Sequence, residues 1–177
     1  MRKVLLILGQ LTDSDVTWMA SVGAARRVPA GETLIRAGTI PPAVTVLLDG
    51  QLRIEADGIG TISTLQSGEI VGEMSFVDSA PPQVNVVADV SSEVLDIDRA
   101  ALAAKIDDDP SFGLRFYRAL SMLLADRLRG TVSRLGYDST RDLAPGAVME
   151  DELEEAVVDN VSQAGDRFSR LLRLTAR

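Results

Sequence analysis

The segment GEMSFVDSAPPQVNVVA, residues 72–88, contains the residues whose types and spacing come closest to a binding site. Gly72, which permits a tight turn, and the carboxylate of Glu73 open it. Pro82 stands ten residues after Gly72, and the segment contains no lysine or arginine. Proline carries no charge and has no backbone N–H to donate. The segment therefore offers a tight turn and a carboxylate as binding groups, with no positive charge beside them.

Residues for catalysis are scarce. The chain has no histidine and no cysteine, which removes the commonest general base, the commonest zinc ligand and all thiolate and disulfide chemistry. A serine or lysine nucleophile would need an adjacent base, and the sequence shows no such constellation. The run Asp107 to Asp109 lacks the alternating ligand spacing of a calcium loop, so we expect a solvated turn there. We predict a protein that is not an enzyme, with no catalytic residue, no metal ligand and no obligatory cofactor.

The length and net charge of the chain exclude further classes of protein. At 177 residues the chain can form one domain with a proper core and an added helical arm. A net charge of −8 argues against a general nucleic-acid binder, whose surface would be basic. The start, MRKVLLILGQL, has a short apolar run with no cleavage site after it, and no stretch approaches the roughly 18 apolar residues of a membrane span. We expect a cytoplasmic protein without a membrane span.

One helix and then a series of short strands are predicted up to residue 98. Thr12 and Asp15 predict a capping box that starts the helix, and Gly23 predicts its end. From about residue 27, β-branched runs recur: TLI, AVTVLL, QLRIEA, GTISTL, VNVVA and EVLDID.

Turn residues separate these runs roughly every 8 to 12 residues, which is typical of a sandwich or barrel. The pairs Asp49-Gly50 and Asp57-Gly58 predict tight hairpins, because these residue types tolerate positive φ. The predicted fold is α+β and mainly β: an antiparallel, jelly-roll-like β-roll flanked by an N-terminal helix and C-terminal helices.

The longest periodic stretch is SFGLRFYRALSMLLADRLRGTVSRLGY, residues 111–137. Its apolar stripe is longer than one small roll can cover, so we predict a homodimer formed through residues 111–135. The stripe consists of Phe112, Phe116, Leu120, Leu123, Leu124, Leu128, Val132 and Leu135.

We divide the chain into a domain at residues 1–137 and a C-terminal part at residues 138–177. Residues 138–148 are predicted to be a linker. An amphipathic helix follows over residues 149–175, acidic at its start and basic at its end, which complements the helix dipole. Its apolar face consists of Leu153, Val157, Ala164, Phe168 and Leu171. The sequence leaves open whether this helix packs on its own roll or on that of a partner.

Residues 11–136 resemble the cyclic-nucleotide-binding domain family, which includes the catabolite activator protein and the regulatory subunits of cyclic-nucleotide-dependent kinases. VPAGETLIRAG carries the family's Pro-x-Gly-x-x-Leu opening, and LQSGEIVGEMSF carries its paired glycines, Gly68 and Gly72. DDDPSFGLRFYRALSMLLADRLR resembles the two helices that follow the roll. Each motif alone is modest, but their order and spacing together are specific.

The resemblance implies a mechanism. In the family, backbone N–H groups after the second glycine cradle a cyclic phosphate, a glutamate accepts a hydrogen bond from the ribose 2′-hydroxyl, and an arginine pairs with the phosphate. Gly72 and Glu73 match, but the arginine is replaced, because the sequence reads Pro81-Pro82-Gln83-Val84-Asn85-Val86 without a gap. The residues expected to contact a ligand, if one binds, are Gly72, Glu73, Met74, Ser75, Pro82, Gln83 and Val84.

The missing arginine sets the functional expectation. A bidentate, charge-assisted pair contributes enough that its loss weakens binding by roughly two to four decades. Arg36 or Arg53 could substitute only by pointing into the roll. Because Arg53 alternates with Leu52 and Ile54 along a strand, we expect it to face outward.

Three functions follow. The first is a dimeric regulatory module for signal transduction, which acts on an unidentified protein partner and has a weakened or absent nucleotide site. The alternative is a genuine sensor of a cyclic nucleotide (cAMP or cGMP) or another small anion, bound weakly through Gly72 and Glu73. A cupin-like enzyme is least supported, because cupin metal sites depend on histidine. About 40 residues follow the long helix without a second recognition helix, so we expect no direct DNA binding.

Overall fold

The computed structural model describes residues 7–134 and 155–176. The helices are α1 (Asp13–Val22), α2 (Glu73–Asp78), α3 (Arg99–Asp108), α4 (Pro110–Arg134) and α5 (Glu155–Thr175). The strands are β1 (Ala24–Val28), β2 (Thr33–Ile35), β3 (Ala43–Asp49), β4 (Gln51–Ala56), β5 (Gly60–Gln66), β6 (Ile70–Val71), β7 (Asn85–Ala88) and β8 (Ser92–Asp98). No helix within these ranges is long and apolar enough to cross a membrane.

The strands in the described ranges form two four-stranded antiparallel sheets. Their orders are β1-β8-β3-β6 and β2-β7-β4-β5. The two sheets face each other as a β-roll, with α1 before them and α3, α4 and α5 after them. The predicted fold class is therefore confirmed. Strands β1 and β6 were not predicted, because β1 is mostly exposed and β6 has two residues.

The predicted hairpin at Asp49-Gly50 is wrong. Strand β3 pairs with β6 and β8, whereas β4 pairs with β5 and β7, so the chain crosses from one sheet to the other at this point. Gly50 is required by packing as well as by its φ of 99°, because a Cβ atom there would lie 2.3 Å from the Ser92 Oγ. The hairpin at Asp57-Gly58 is confirmed by the antiparallel pairing of β4 with β5.

Side chains of β3 alternate between two hydrophobic cores. Val44, Val46 and Leu48 pack against the helices, while Leu47 lies in the interior of the roll. The interior core is completed by Val28, Ile35, Leu52, Leu65, Val71, Val86, Ala88 and Val94. One strand therefore joins the roll to its helical layer.

The described part of the apolar stripe of α4 is covered up to Leu123 and exposed at Leu128. Phe112, Phe116, Leu120 and Leu123 are buried in the helical core. Leu128 is 64% exposed, so its share of the stripe is not used by the roll of the same chain. Leu135 and the side chain of Val132 lie outside the described residues.

Helix α5 packs on α1 of the same chain. Its buried Ala164 and Leu171 belong to the same core as Val16 and Met19 of α1. Arg167 donates hydrogen bonds to the Asp13 carboxylate at 3.0 Å and to the Leu8 carbonyl at 3.0 Å. The predicted linker at residues 138–148 and Leu153 lie outside the described residues, as does the Val157 side chain.

A buried carboxylate ties the first helix to the long one. Thr12 and Asp15 form the predicted capping box, and Asp15 also accepts two hydrogen bonds from Arg115 on α4, at 2.8 and 2.9 Å. Burial by itself raises the pKa of Asp15, but the hydrogen bonds from Arg115 and Thr12 outweigh it and leave the pKa below its usual value.

We expect Asp15→Asn to lower the free energy of unfolding by about 1–3 kcal/mol at pH 7, because it removes a buried, doubly bonded charge. The folded-state pKa of Asp15 is lowered, so its contribution is present above the unfolded pKa and is lost as pH falls through the folded pKa. The difference in the free energy of urea unfolding between the variant and wild type should therefore shrink below about pH 4.

Glu93→Gln is the matched control, because its partner Arg27 and Glu93 itself are largely exposed. Its effect should stay within about 0.5 kcal/mol at every pH. If Asp15→Asn lost the same free energy of unfolding relative to wild type at pH 7 and at pH 3, this account would be contradicted.

Candidate functional site

Gly72 sets the position of the predicted binding segment, which we call the cassette (residues 72–84). Gly72 precedes α2 and has a φ of 84°, in the left-handed region that glycine adopts without strain. A Cβ atom at this position would lie 2.7 Å from the Ala43 carbonyl oxygen. The start of α2 is therefore pressed against the first residue of β3, and only glycine permits that approach.

The Glu73 carboxylate is buried and already has partners. Its side chain is 2% exposed, and Arg127 of α4 forms an ion pair with it. Arg127 also donates a hydrogen bond to the Ile70 carbonyl at 2.6 Å. The Glu73 carboxylate therefore already has a counter-charge within the chain.

Burial dominates the electrostatics of this pair. It raises the pKa of the Glu73 carboxyl, and the positive charge of Arg127 and the nearby backbone N–H groups oppose that rise without cancelling it. The nearby charge of Glu69, itself 7% exposed, raises the pKa further.

The rest of α2 is anchored on α4 through aromatic rings. Phe76 packs edge-on against Phe116, with ring centroids 6.0 Å apart, and stacks with Tyr117 at 6.4 Å. Ser75 is buried, whereas the Met74 side chain is 59% exposed. The cassette helix is consequently fixed between the roll and the long helix.

The loop that carries Pro82 returns to the end of β2. The Pro82 carbonyl accepts a hydrogen bond from the Gly38 N–H at 2.7 Å, and the Asn85 Oδ1 accepts one from the Ala37 N–H at 2.9 Å. Gln83 is exposed, and Pro82 and Val84 are partly exposed. The cassette thus keeps its ordered path even though Pro82 offers no charge.

Neither of the two arginines considered as substitutes packs into the roll. Arg53 is paired with Glu55 at 2.5 Å and with Asp89 at 3.1 Å, while its neighbours Leu52 and Ile54 pack inside. The prediction that Arg53 faces outward is confirmed. Arg36 is exposed, and the preceding Ile35 is the residue that enters the interior core.

Sequence reasoning missed Arg127. Its partner Glu73 is 54 residues away, so no local pattern connects the two. A weak signal was available: Arg127 follows Phe116, Leu120 and Leu123 at helical spacing, and those three side chains are buried. A charge in line with a buried face needs a buried partner.

The site as a whole offers binding groups rather than catalytic ones. It combines backbone N–H groups, a buried carboxylate and an internal arginine. No group of three or more acidic side chains within the described residues is close enough to hold a metal ion.

Comparisons with known proteins agree with this geometry. Residues 25–109 match the model of the cyclic nucleotide-binding domain. A solved cyclic nucleotide-binding domain from Methylobacillus flagellatus KT has a TM-score of 0.68 and 22% identity, covering 80% of this chain and 85% of that chain. The catabolite activator protein of Thermus thermophilus has a TM-score of 0.59 and 24% identity, covering 92% and 83% respectively.

A third similar structure is that of PKAR CBD2 bound to Sp-2Cl-cAMPS, with a TM-score of 0.57 and 19% identity, covering 77% of this chain and 87% of that chain. At these identities the likeness establishes the fold. No curated protein matches the sequence significantly.

We expect Gly72→Ala to be among the most destabilising glycine substitutions in the roll. Positive φ costs alanine about 1–2 kcal/mol, and the contact with the Ala43 carbonyl adds about 1–3 kcal/mol of overpacking. The loss in the free energy of urea unfolding should equal the sum of these two costs.

Gly58→Ala is the matched control, because Gly58 has a similar φ of 76° but no atom within 4 Å of the added Cβ. This variant should lose only the free energy that alanine requires to adopt a positive φ. Equal losses in the two variants would mean that the cassette can move away from β3, contrary to the close packing described above.

Proposed function

Residues 25–109 make this chain a member of the cyclic nucleotide-binding domain family, and from that premise we propose that the protein is a non-catalytic regulatory module with a degenerate phosphate site. The observation that carries the proposal is Pro82, which stands where the resemblance calls for the phosphate-binding arginine. The pairing of Glu73 with Arg127 adds support, because a ligand that needs this carboxylate would compete with an internal partner.

The expected affinity follows from the missing charge. Backbone N–H groups alone can hold an anion, but a bidentate arginine adds the stronger, charge-assisted bonds. Without it, we expect cyclic nucleotides to bind with dissociation constants weaker than about 100 μM. Such a module would act mainly through protein contacts, and a net charge of −8 favours a protein partner over a nucleic acid.

We further propose that the module is a homodimer through α4. The outer stripe of this helix consists of Leu114, Tyr117, Ser121, Leu124 and Leu128. These positions repeat at intervals of three and four residues, the seam of a two-helix coiled coil. Leu114 is 74% exposed and Leu128 is 64% exposed, so the stripe carries apolar surface that a second copy would cover.

The second candidate is a weak sensor of a cyclic nucleotide or another small anion. The observation in its favour is the intact path of the cassette: Gly72 keeps its left-handed φ, and Val86 and Ala88 still pack into the roll. Affinity would then come from contacts to base and ribose. We expect no catalysis from either candidate, the regulatory module or the weak sensor.

Calorimetry with cyclic AMP and cyclic GMP tests the degenerate site. We expect wild-type binding weaker than about 100 μM and a gain of about tenfold or more in Pro82→Arg, which restores the counter-charge. Pro82 contributes only its carbonyl to the Gly38 hydrogen bond, so arginine can keep that contact.

Pro81→Arg is the matched control, because it adds the same charge one exposed residue earlier and should give no gain. Submicromolar binding by wild type would reject the degenerate site in favour of the sensor. No gain in Pro82→Arg would mean that the cassette is closed to phosphate altogether.

Replacing Leu128 with glutamate should dissociate the dimer, because it places a charge in an apolar seam. Light scattering and sedimentation should show a halved mass at concentrations where wild type is dimeric. Arg129→Glu puts the same carboxylate on the neighbouring side of the helix, outside the outer stripe, and should remain dimeric. A monomeric wild type at concentrations of tens of micromolar would refute the dimer.

A further inference from the structure

Helix α5 is attached to the rest of the described structure through one neighbour. It packs on α1 and on the residues just before it, and no other helix or strand within the described ranges makes more than marginal contact with it. Residues 135–154 separate α5 from the end of α4. A stretch of this length can span roughly 60 Å when it is extended. The connection therefore allows α5 to leave α1 while the roll and α4 keep their positions.

Only one side of α5 is used in this packing. Ala164 and Leu171 are fully buried, and Phe168 and Leu172 pack against the same core while partly buried. These positions follow one another at i, i+4, i+7 and i+8, the pattern of a helix that lays one apolar face into a groove. Ser169, on the other side of the helix, is exposed.

Polar contacts fix the position of α5 along α1. Arg167 is 13% exposed and donates a hydrogen bond to the Asp13 carboxylate at 3.0 Å. It also donates to the carbonyls of Leu8 and Gly9, at 3.0 and 3.2 Å. Arg170 lies 3.5 Å from the same carboxylate, which is 62% exposed. Because water screens both ion pairs, they direct the helix more than they retain it.

The packing makes α5 a unit that can open separately from the roll. Among residues 163–176, whose side chains the structure describes, two are fully buried, whereas α4 buries five between residues 112 and 123. Elements with few buried apolar contacts open at a lower free energy than the core of a domain. Opening of α5 would expose the apolar side chains of α1 with which it shares a core, among them Val16 and Met19.

From these contacts we propose that the surface of α1 under α5 is a docking site for an amphipathic helix of a partner protein, and that α5 covers this surface until the partner replaces it. The partner helix carries apolar side chains at i, i+4, i+7 and i+8, and an arginine at i+3 that meets Asp13 as Arg167 does. Its chemistry is inferred from α5, whose side chains show what the surface accepts. This inference rests on the regulatory module proposed above, and it involves neither the cassette nor the outer stripe of α4.

A fluorescent peptide of residues 155–176, measured by anisotropy, tests the docking site. In the wild-type chain the peptide competes with α5, whose tether gives it an effective concentration of the order of millimolar. Leu171→Glu in the protein places a charge on the buried side of α5, so we expect this variant to bind the peptide about tenfold more tightly than wild type, or better. Ser169→Glu is the matched control, because it adds the same carboxylate on the exposed side of α5, and it should bind the peptide as wild type does.

A second protein variant and a second peptide make the result decisive. Ala164→Glu displaces α5 at another buried position and should bind the peptide as Leu171→Glu does. A peptide that itself carries Leu171→Glu should bind neither variant. Equal affinity of wild type and both variants for the unchanged peptide would overturn the docking site. Loss of the folded roll in both variants, measured by circular dichroism, would overturn it too, because a cover must leave without unfolding the rest of the domain.

Hydrogen exchange of the wild-type chain tests whether α5 opens on its own. Amides of residues 164–174 should exchange about tenfold faster than those of residues 112–123 in α4, or more. Equal protection of the two groups would mean that α5 opens only with the whole domain, and would overturn its role as a cover. The calorimetry with cyclic nucleotides described above tests the cassette alone, so a failure of either proposal is distinguishable from a failure of the other.

Discussion

The close approach of Gly72 to the Ala43 carbonyl is the constraint on which the rest of the site depends. It presses the start of α2 against β3, and a Cβ atom would prevent it. Glu73 is the next residue, so the same contact carries its carboxylate into a buried position. A buried carboxylate needs a partner, and α4 supplies Arg127. The contact between the cassette and the long helix at Glu73 and Arg127 therefore depends on one glycine in the loop before α2.

The Glu73 carboxylate has its counter-charge within the chain. A counter-charge next to Pro82 would make an incoming anion the natural partner of the cassette N–H groups. In this chain the buried carboxylate of the cassette instead pairs with Arg127 of α4, so both charges of the pair belong to the protein.

The two cores explain why the roll tolerates a proline at position 82. Strand β3 contributes alternate side chains to the interior of the roll and to the helical layer, so it joins the two cores. The Asp15–Arg115 pair adds a second tie between the first helix and α4. None of these internal contacts involves Pro82.

The sequence by itself determined the features that depend on neighbours a few residues apart. The capping box at Thr12 and Asp15, the hairpin at Asp57-Gly58 and the period of α4 were predictable, because turn chemistry and helical spacing act locally. The tertiary structure decided which residues meet across long separations. It turned Asp49-Gly50 into a crossing between sheets, covered the α4 stripe up to Leu123 but not at Leu128, and joined Glu73 to Arg127. The partners in these contacts lie far apart in the chain, and only the packing of the two cores brings them together.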